Sequence, residues 1–350
     1  MTTPADHLTH LPASTEVSTV GERGLIEHIR RRLPPPPPGL VVGIGDDAAV
    51  AVVDRGALQV LTTDALVEGI HFDRRFSTPT DIGCKALAVN VSDIAAMGAA
   101  PRFALLSLML PQAVTLGDVD GLLDGLLDTA ASSKVTLAGG NITRSPGPLV
   151  VDVTVVGSVR PRRILKRSGG RPGDSLYVSG SIGAAAAGLG WLREYGERGA
   201  EVPDDPELAE CVARHRRPEP RARLGALLGR TRAASACMDL SDGLADAVRQ
   251  VGEASGVGAR IAASGLPIHP GAARWFGLRG EDAVRASLSG GDDYELLFAL
   301  SSRARGRLRL VERQARGLRL TRIGELTRER HFIVERDGTS EPLPAGFVHF

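Results

Sequence analysis

The residues best able to do chemistry are aspartates standing where packing alone would not put them. Asp46 and Asp47 interrupt an apolar, strand-like run just after Gly43 and Gly45, which permit unusual backbone geometry. Asp64 follows Thr62 and Thr63 directly after LQVL. Asp239 ends a short apolar stretch, Asp242 follows Ser241 at the start of a helical pattern, and Asp292-Asp293 repeat the Gly-Asp-Asp pattern before another apolar run. Within 80–97, Ala86, Asn90, Asp93 and Met97 recur at helical spacing, which places an amide and a carboxylate on an apolar stripe. A carboxylate left unpaired on a buried face is costly. Singly, Ser241-Asp242 reads as a helix start and Asp46-Asp47 as a turn. Together, so many carboxylates beside Gly, Thr and Ser need a common countercharge, and hard divalent cations supply one. Magnesium takes oxygen ligands and joins a few carboxylates to substrate phosphates. Phosphate also needs donors. The chain has no GxxxxGK[ST] loop and no kinase HRD or DFG element. The donors left are the glycine-rich backbone at Gly139-Gly140, the helix starting at Asp242, and Arg167 with its neighbours. The chemistry these residues suit is phosphoryl transfer assisted by several magnesium ions.

Those residues must be held by more than one core. At 350 residues the chain exceeds the size, about 250–300 residues, at which single cores stop growing. Apolar periodicity predicts a helix over Glu22–Leu33, ended by the prolines 34–38, which read as a stiff connector. Strand-like runs follow at Leu40–Val53 and Leu58–Val67. A helix is expected over Thr80–Met97, with Thr80 as N-cap and Gly98 past its end, and another over Gly117–Ser132; strands are expected at Val135–Ala138 and Leu149–Val156. The Arg-, Gly- and Pro-rich stretch 161–174 reads as a domain junction. The expected division is a polar tail over 1–19, an N-terminal metal-binding domain over 20–160 and a C-terminal domain over 161–350. Beyond the junction come a strand at Ser175–Val178, a helix over Ser181–Leu192 and a polar, Pro-interrupted surface excursion over 197–220. A strand-turn-helix follows around MDLSDGL, then a Gly-rich turn and strand around GGDDYELLF, and a solvated helix over Arg303–Arg316 with Leu308 and Val311 inward. Both halves mix helices and strands, so the fold class is α/β (α+β) in two domains.

Composition narrows the function further. The 42 Lys+Arg nearly cancel the 41 Asp+Glu, and only Lys85, Lys134 and Lys166 are lysines. This argues against a broadly basic nucleic-acid binder or a polybasic membrane-surface protein. Cys84, Cys211 and Cys237 are widely spaced and lack CxxC, so free thiols of a cytoplasmic protein are expected. No run approaches a membrane span, and the N-terminus does not read as a signal peptide.

The segments GIGDDAAV (43–50), TTDALVEGIHF (62–72), KALAVNVSDIAAMGAAP (85–101), KRSGGRPGD (166–174), MDLSDGL (238–244), SGGDDYELLF (289–298) and GFVHF (346–350) resemble, in order, those of the thiamine-monophosphate kinase family. That family belongs to the superfamily of aminoimidazole ribonucleotide synthetase and selenophosphate synthetase. The resemblance runs from about residue 20 to the C-terminus. It implies ATP-dependent phosphorylation of thiamine monophosphate to thiamine diphosphate. It further implies that Asp47, Thr62, Thr63, Asp64, Asp93, Asn141, Asp239 and Asp242 surround magnesium, and that Gly140, Asn141, Arg167 and Ser241 contact ATP. His71 and Asp292 would meet thiamine monophosphate. The implied assembly is a homodimer whose N-terminal mixed sheets pair into a barrel, each carrying a C-terminal α/β domain.

Three departures from the family pattern stand out. Gly139-Gly140-Asn141-Ile142 replaces the usual GGDT, so one ligand loses its charge but keeps an amide oxygen. GGDD replaces the GGED of some relatives, and Pro344 occupies a region where some relatives carry an aromatic residue, which leaves that role to Phe347. No general base stands out. None is required, because the acceptor phosphate is already anionic near neutral pH and the difficulty is to bring two polyanions together. The competing readings are an aminoimidazole ribonucleotide synthetase-like enzyme, against which EGIHF and GFVHF argue, and a nucleotide sensor without turnover, against which the retained acidic set argues.

Overall fold

A computed structural model describes residues 12–45, 48–196 and 202–347. The chain divides into two compact units, one of residues 1–90 with 101–158 and one of residues 91–100 with 159–350.

In the first unit, α1 (Val17–Arg32) buries Leu25 and Ile29, one turn apart, and Gly21 (φ 71°) breaks its first turn, so regular helix begins at Glu22. The run expected as one strand over 40–53 is instead two short antiparallel strands, β1 (Leu40–Val42) and β2 (Val50–Ala51). Between them Gly45, at φ +117°, adopts a backbone conformation that favours glycine. Next come β3 (Leu58–Val67) and α2 (Pro79–Ala96). The N-cap of α2 is Thr78 rather than Thr80: the Asp81 N–H donates to Thr78 Oγ1 at 3.2 Å, and the Thr78 N–H donates to Asp81 Oδ2 at 3.1 Å. At the other end Gly98 (φ +67°) closes the helix as expected, with its N–H on Ala95 O at 2.9 Å. β4 (Ala100–Leu110), α3 (Leu116–Ser133), β5 (Thr136–Arg144) and β6 (Val150–Val159) complete the unit. Its four-stranded sheet has the order β3-β6-β4-β5, with β4 and β5 parallel. Inward valines of β6 (Val151, Val153, Val155) alternate with half-buried residues, the period of a sheet covered on one face.

The crossing of α2 and α3 is backbone against backbone. A Cβ on Gly83 would lie 1.9 Å from Leu122 O, and one on Gly125 would lie 1.9 Å from Thr80 O. Gly125→Ala is therefore expected to push the helices apart at a cost of about 1–3 kcal/mol or more, read as a lowered midpoint of thermal unfolding. Unchanged stability would show that the helices do not pack this closely.

The second unit is built on a seven-stranded sheet. Its elements in chain order are β7 (Ser175–Ser179), α4 (Ala184–Tyr195), α5 (Pro206–Arg216), α6 (Ala222–Thr231), β8 (Ala236–Asp239), α7 (Leu244–Ser255), β9 (Gly258–Ala262), α8 (Pro270–Leu278), α9 (Ala283–Ser289), β10 (Leu296–Leu300), α10 (Arg305–Gln314), β11 (Leu320–Thr327), β12 (Phe332–Arg336) and β13 (Thr339–Pro342). Strand order is β13-β12-β9-β11-β7-β10-β8, antiparallel throughout except where β12 runs parallel to β9. β10 is buried along its whole length, which explains its unbroken apolar sequence. Leu297 and Ala299 join the core under α7, while Leu296, Phe298 and Leu300 join the core of α6 and α10. Leu308 and Val311 of α10 point inward as expected.

Of the stretch 197–220, expected as a surface excursion, the described part is largely helical. Residues 206–216 form α5, whose Cys211, Val212 and His215 are buried at helical spacing. All three cysteines are buried free thiols. Burial pushes the Cys211 thiol up to about 12, so it stays protonated. Among the described residues, no helix is long and apolar enough to cross a membrane.

Candidate active site

In the first unit, strand alternation sorts the TTD triplet. Thr62 and Asp64 share the face of the buried Leu66, whereas Thr63 turns to the opposite face. There Thr63 Oγ1 lies 3.0 Å from both Asp152 Oδ1 and Thr154 Oγ1 of β6. The side chains of Thr62 and Asp64 are thus brought to one face, and that of Thr63 is not.

His71 sits in the turn after β3. Its Nδ1 accepts the Val67 N–H at 3.0 Å, so a neutral ring carries its proton on Nε2, a donor suited to an anionic oxygen. Buried Lys85 donates to His71 O at 3.1 Å. One of the chain's three lysines therefore holds the histidine's backbone, a role that only the fold reveals.

Gly139-Gly140 is not a loop. Both glycines lie inside β5, with Leu106 opposite Gly140 and Ser107 opposite Asn141 in parallel register. A Cβ on Gly140 would lie 1.9 Å from Leu106 O, so strand pairing alone demands glycine there. Since β5 is an edge strand of its sheet, one side of this backbone remains without a strand partner in the sheet. Nearby, a cavity of about 440 Å³ is bordered by Gly43, Ile44, Leu40, Pro35, Ala131 and Leu137, among others. Nothing in the sequence marked it, because its walls come from α1, the proline run, α3 and β5.

The α2 helix carries both candidates of the mixed stripe. Asn90 is fully buried; its Nδ2 donates to Ala86 O at 3.0 Å, and its Oδ1 has no hydrogen-bond partner among the described residues. Asp93, a turn further on, is half-buried. In the second unit, Ser92 donates to Asp239 Oδ2 at 2.7 Å, and both residues are buried. Ser92 is a partner of the candidate Asp239 that the sequence did not single out.

The loop after β8 gathers the remaining candidates. Asp292 N–H donates to Ser241 O at 2.7 Å, Tyr294 N–H to Leu240 O at 3.0 Å, and Phe347 N–H to Asp242 O at 3.1 Å. Ser241, Asp242, Asp292 and Phe347 are thereby brought together by backbone bonds. The helix expected to start at Asp242 starts at Leu244 instead, with Gly243 (φ +97°) in the cap position. Asp242 stands one residue outside, in the loop. Arg167 is exposed and donates from Nη1 to Gln250 Oε1, while Gln250 Nε2 donates to Asp246 Oδ2 at 2.5 Å, so the guanidinium is tethered to α7.

The second GDD is divided in its labour. Asp293 accepts the N–H groups of Gly183 (2.7 Å) and Ala185 (3.2 Å), capping the start of α4. Burial pushes its carboxyl up to about 7, against the lowering effect of those two bonds. Asp292 has the left-handed φ of +67° and leaves its side chain 31% exposed.

Every candidate metal donor is an oxygen, and the buried Asn90 Oδ1 is an acceptor of the same kind, which suits a hard cation. Among the described residues, no group of three or more His, Cys, Asp or Glu side chains converges as a metal centre. Asp46 and Asp47 lie outside the described residues.

Residues 45–159 match the family of the AIR synthase related protein, N-terminal domain, and residues 171–337 match its C-terminal domain. The chain is 38% identical over 321 residues to the Thiamine-monophosphate kinase of Bacillus subtilis (strain 168), covering 88% of this chain and 93% of that protein. The crystal structure of Thiamine-monophosphate kinase from Stenotrophomonas maltophilia K279a aligns with a TM-score of 0.79 at 34% identity, over 91% of this chain and 96% of that one. AaThiL complexed with AMPPCP and TMP aligns with a TM-score of 0.74 at 32% identity, over 95% and 98% of the two chains. Both domains and nearly the whole length are thus accounted for, and the chain belongs to the thiamine-monophosphate kinase family.

Proposed function

We infer that the protein transfers the γ-phosphoryl group of ATP to thiamine monophosphate, giving thiamine diphosphate. The observation that carries this reading is the gathering of Ser241, Asp242, Asp292 and Phe347, from three chain segments, by backbone hydrogen bonds, in a chain with similarity over nearly its whole length to AaThiL complexed with AMPPCP and TMP. The acceptor oxygen is anionic, so the chain's task is to orient and to compensate charge rather than to remove a proton. Nε2–H of His71 donates to the substrate phosphate, and Arg167, Ser241 and the backbone at Gly140-Asn141 hold ATP. Asp292 and Phe347 receive the thiamine moiety.

Asp47, Thr62, Thr63, Asp64, Asp93, Asn141, Asp239 and Asp242 are the residues that would hold magnesium. For Thr63, whose side chain faces away from that of Asp64, the contact would come through the backbone carbonyl. Bound magnesium neutralises phosphate charge during transfer. Within that set Asn141 offers a neutral amide oxygen in place of a carboxylate.

The protein acts as a homodimer in the cytoplasm, its N-terminal sheets pairing into a barrel. Support comes from the first unit, which leaves Val41, Val52, Val53, Leu58 and Leu61 46–67% exposed on β1, on β3 and just after β2.

The reading is tested by incubating the purified protein with Mg·ATP and thiamine monophosphate and separating the products by chromatography. Thiamine diphosphate is expected; a folded protein that makes none would overturn the assignment. Asp93→Asn is expected to lower turnover at least about tenfold with the fold intact, since it removes one charge from a phosphate-compensating set. A rate near wild type would take Asp93 out of that set.

A further inference from the structure

The Asp292 carboxylate is hydrogen-bonded on one side and faced by a buried histidine on the other. Its Oδ1 accepts the hydroxyl of Tyr294 at 3.1 Å, and its Oδ2 lies 3.6 Å from Nδ1 of His215. His215 is 4% exposed, on the inner face of α5, far from Asp292 in sequence. The backbone at this point is unusual: both Asp292 (φ 67°) and Tyr294 (φ 48°) are left-handed, although neither is glycine. Such conformations are unfavourable for residues with a side chain and persist where the surroundings over-determine them.

The surroundings do so here. Asp293 on one side is spent on the N–H groups of Gly183 and Ala185. Glu295 is gripped by Arg221, which donates from Nε to Oε2 at 2.7 Å and from Nη2 to Oε1 at 2.6 Å, and by Ser179 Oγ at 2.5 Å. Of the three acids within residues 292–295, Asp293 and Glu295 anchor the turn and Asp292 presents a carboxylate that is part-open to solvent. The segment 206–221 supplies both Arg221, on the anchor, and His215, on the presented group.

We propose that His215 is a positioning residue for the thiamine-monophosphate subsite, aiming the Asp292 carboxylate at the thiamine moiety from α5. The proposal rests on the reading of Asp292 as a substrate residue. His215 would act through Asp292 and so would affect the affinity for thiamine monophosphate, leaving the transfer step and ATP untouched. Its Nδ1 faces the carboxylate, so an Asn side chain, with an amide N–H₂ at nearly the same reach, should replace it in part.

Steady-state rates of the full-length protein test this, with thiamine monophosphate and Mg·ATP varied separately for wild type, Asp292→Ala, His215→Ala, His215→Asn and the double alanine variant. His215→Ala is expected to raise KM for thiamine monophosphate about tenfold, the size of a lost contact to a charged group, with kcat and the KM for ATP within about twofold. Asp292→Ala should do the same, the double variant should be no worse than the worse single one, and His215→Asn should recover most of the loss. An unchanged KM in His215→Ala beside a raised KM in Asp292→Ala would overturn the role of His215 and leave that of Asp292 standing. An unchanged KM in Asp292→Ala would overturn the substrate reading itself, and the positioning role with it. If His215→Ala fails to fold, His215→Asn decides alone: a KM close to wild type in a folded protein supports positioning. Loss of kcat and both KM values together with a lowered melting temperature in His215→Asn marks a purely structural residue and overturns the proposal.

Discussion

Replacing Glu295 by Ala is expected to be the most destabilising single change in the second unit, at about 3–5 kcal/mol, the usual cost of breaking a buried ion pair from one side. Glu295 is fully buried, and the Arg221 side chain that grips it with two hydrogen bonds is 12% exposed. Among the described residues, removal of the carboxylate leaves that guanidinium paired with the exposed Glu219 at 2.8 Å, and it deprives Ser179 Oγ of its acceptor. The same carboxylate fills the space beside Gly180, whose Cβ position lies 2.0 Å from Glu295 Oε1. Differential scanning calorimetry should show a fall in the unfolding temperature in Glu295→Ala. Replacing both partners with apolar residues, as in Glu295→Leu with Arg221→Met, should recover much of the loss, because neither charge is then stranded. A single variant as stable as wild type would show that the pair contributes nothing to the native state. The double variant separates charge burial from packing: failure to recover would place the cost in the fit of the side chains.

The largest kinetic effect is expected at Asp239. Asp239→Asn keeps the shape of the side chain and still offers an oxygen to Ser92 Oγ, which now lies 2.7 Å from Oδ2. What it loses is a negative charge buried to 3% exposure, in surroundings where charge is poorly screened. If Asp239 holds magnesium against the phosphates of ATP, kcat should fall by about 10²–10³-fold, the range seen when one preorganised electrostatic group is removed. The melting temperature should change little. Titrating magnesium in the rate assay adds a second readout: the variant should need more of the ion to reach its own maximal rate. A rate close to wild type would remove Asp239 from the metal set and assign its bond with Ser92 to the packing of β8.

Much of this was legible in the chain itself. Leu25 and Ile29, Leu308 and Val311, and the alternating valines of β6 announce their elements through period alone, since a buried face forces a repeat. The left-handed Gly98 ends α2 for a reason local to glycine. The failures were of another kind. Thr78 rather than Thr80 caps α2 because the reciprocal bond with Asp81 is the better pairing, and several threonines and acids nearby offered plausible starts. The polar stretch 197–220 hid α5 because Cys211 and His215 do not read as apolar, yet they lie on its buried face. Gly139-Gly140 read as glycine-rich backbone able to donate to phosphate, and the strand expected to end at Ala138 in fact runs through both; the demand for glycine at position 140 comes from Leu106 O on β4, more than thirty residues away.

The sequence by itself determined the two-part α/β organisation, the family and which oxygen-bearing residues are candidates, since each depends on residue type, order or short-range period. Only the tertiary structure decided how those donors are shared out. Asp292 and Asp293 are chemically identical neighbours, yet one caps α4 and the other faces His215 and Tyr294. Thr62 and Thr63 are likewise adjacent and identical, and they turn to opposite faces of β3. The physical reason is the same in both cases: a side chain's role follows from the direction of its Cα–Cβ bond and from what another part of the chain places there. The backbone sets the first and long-range packing sets the second.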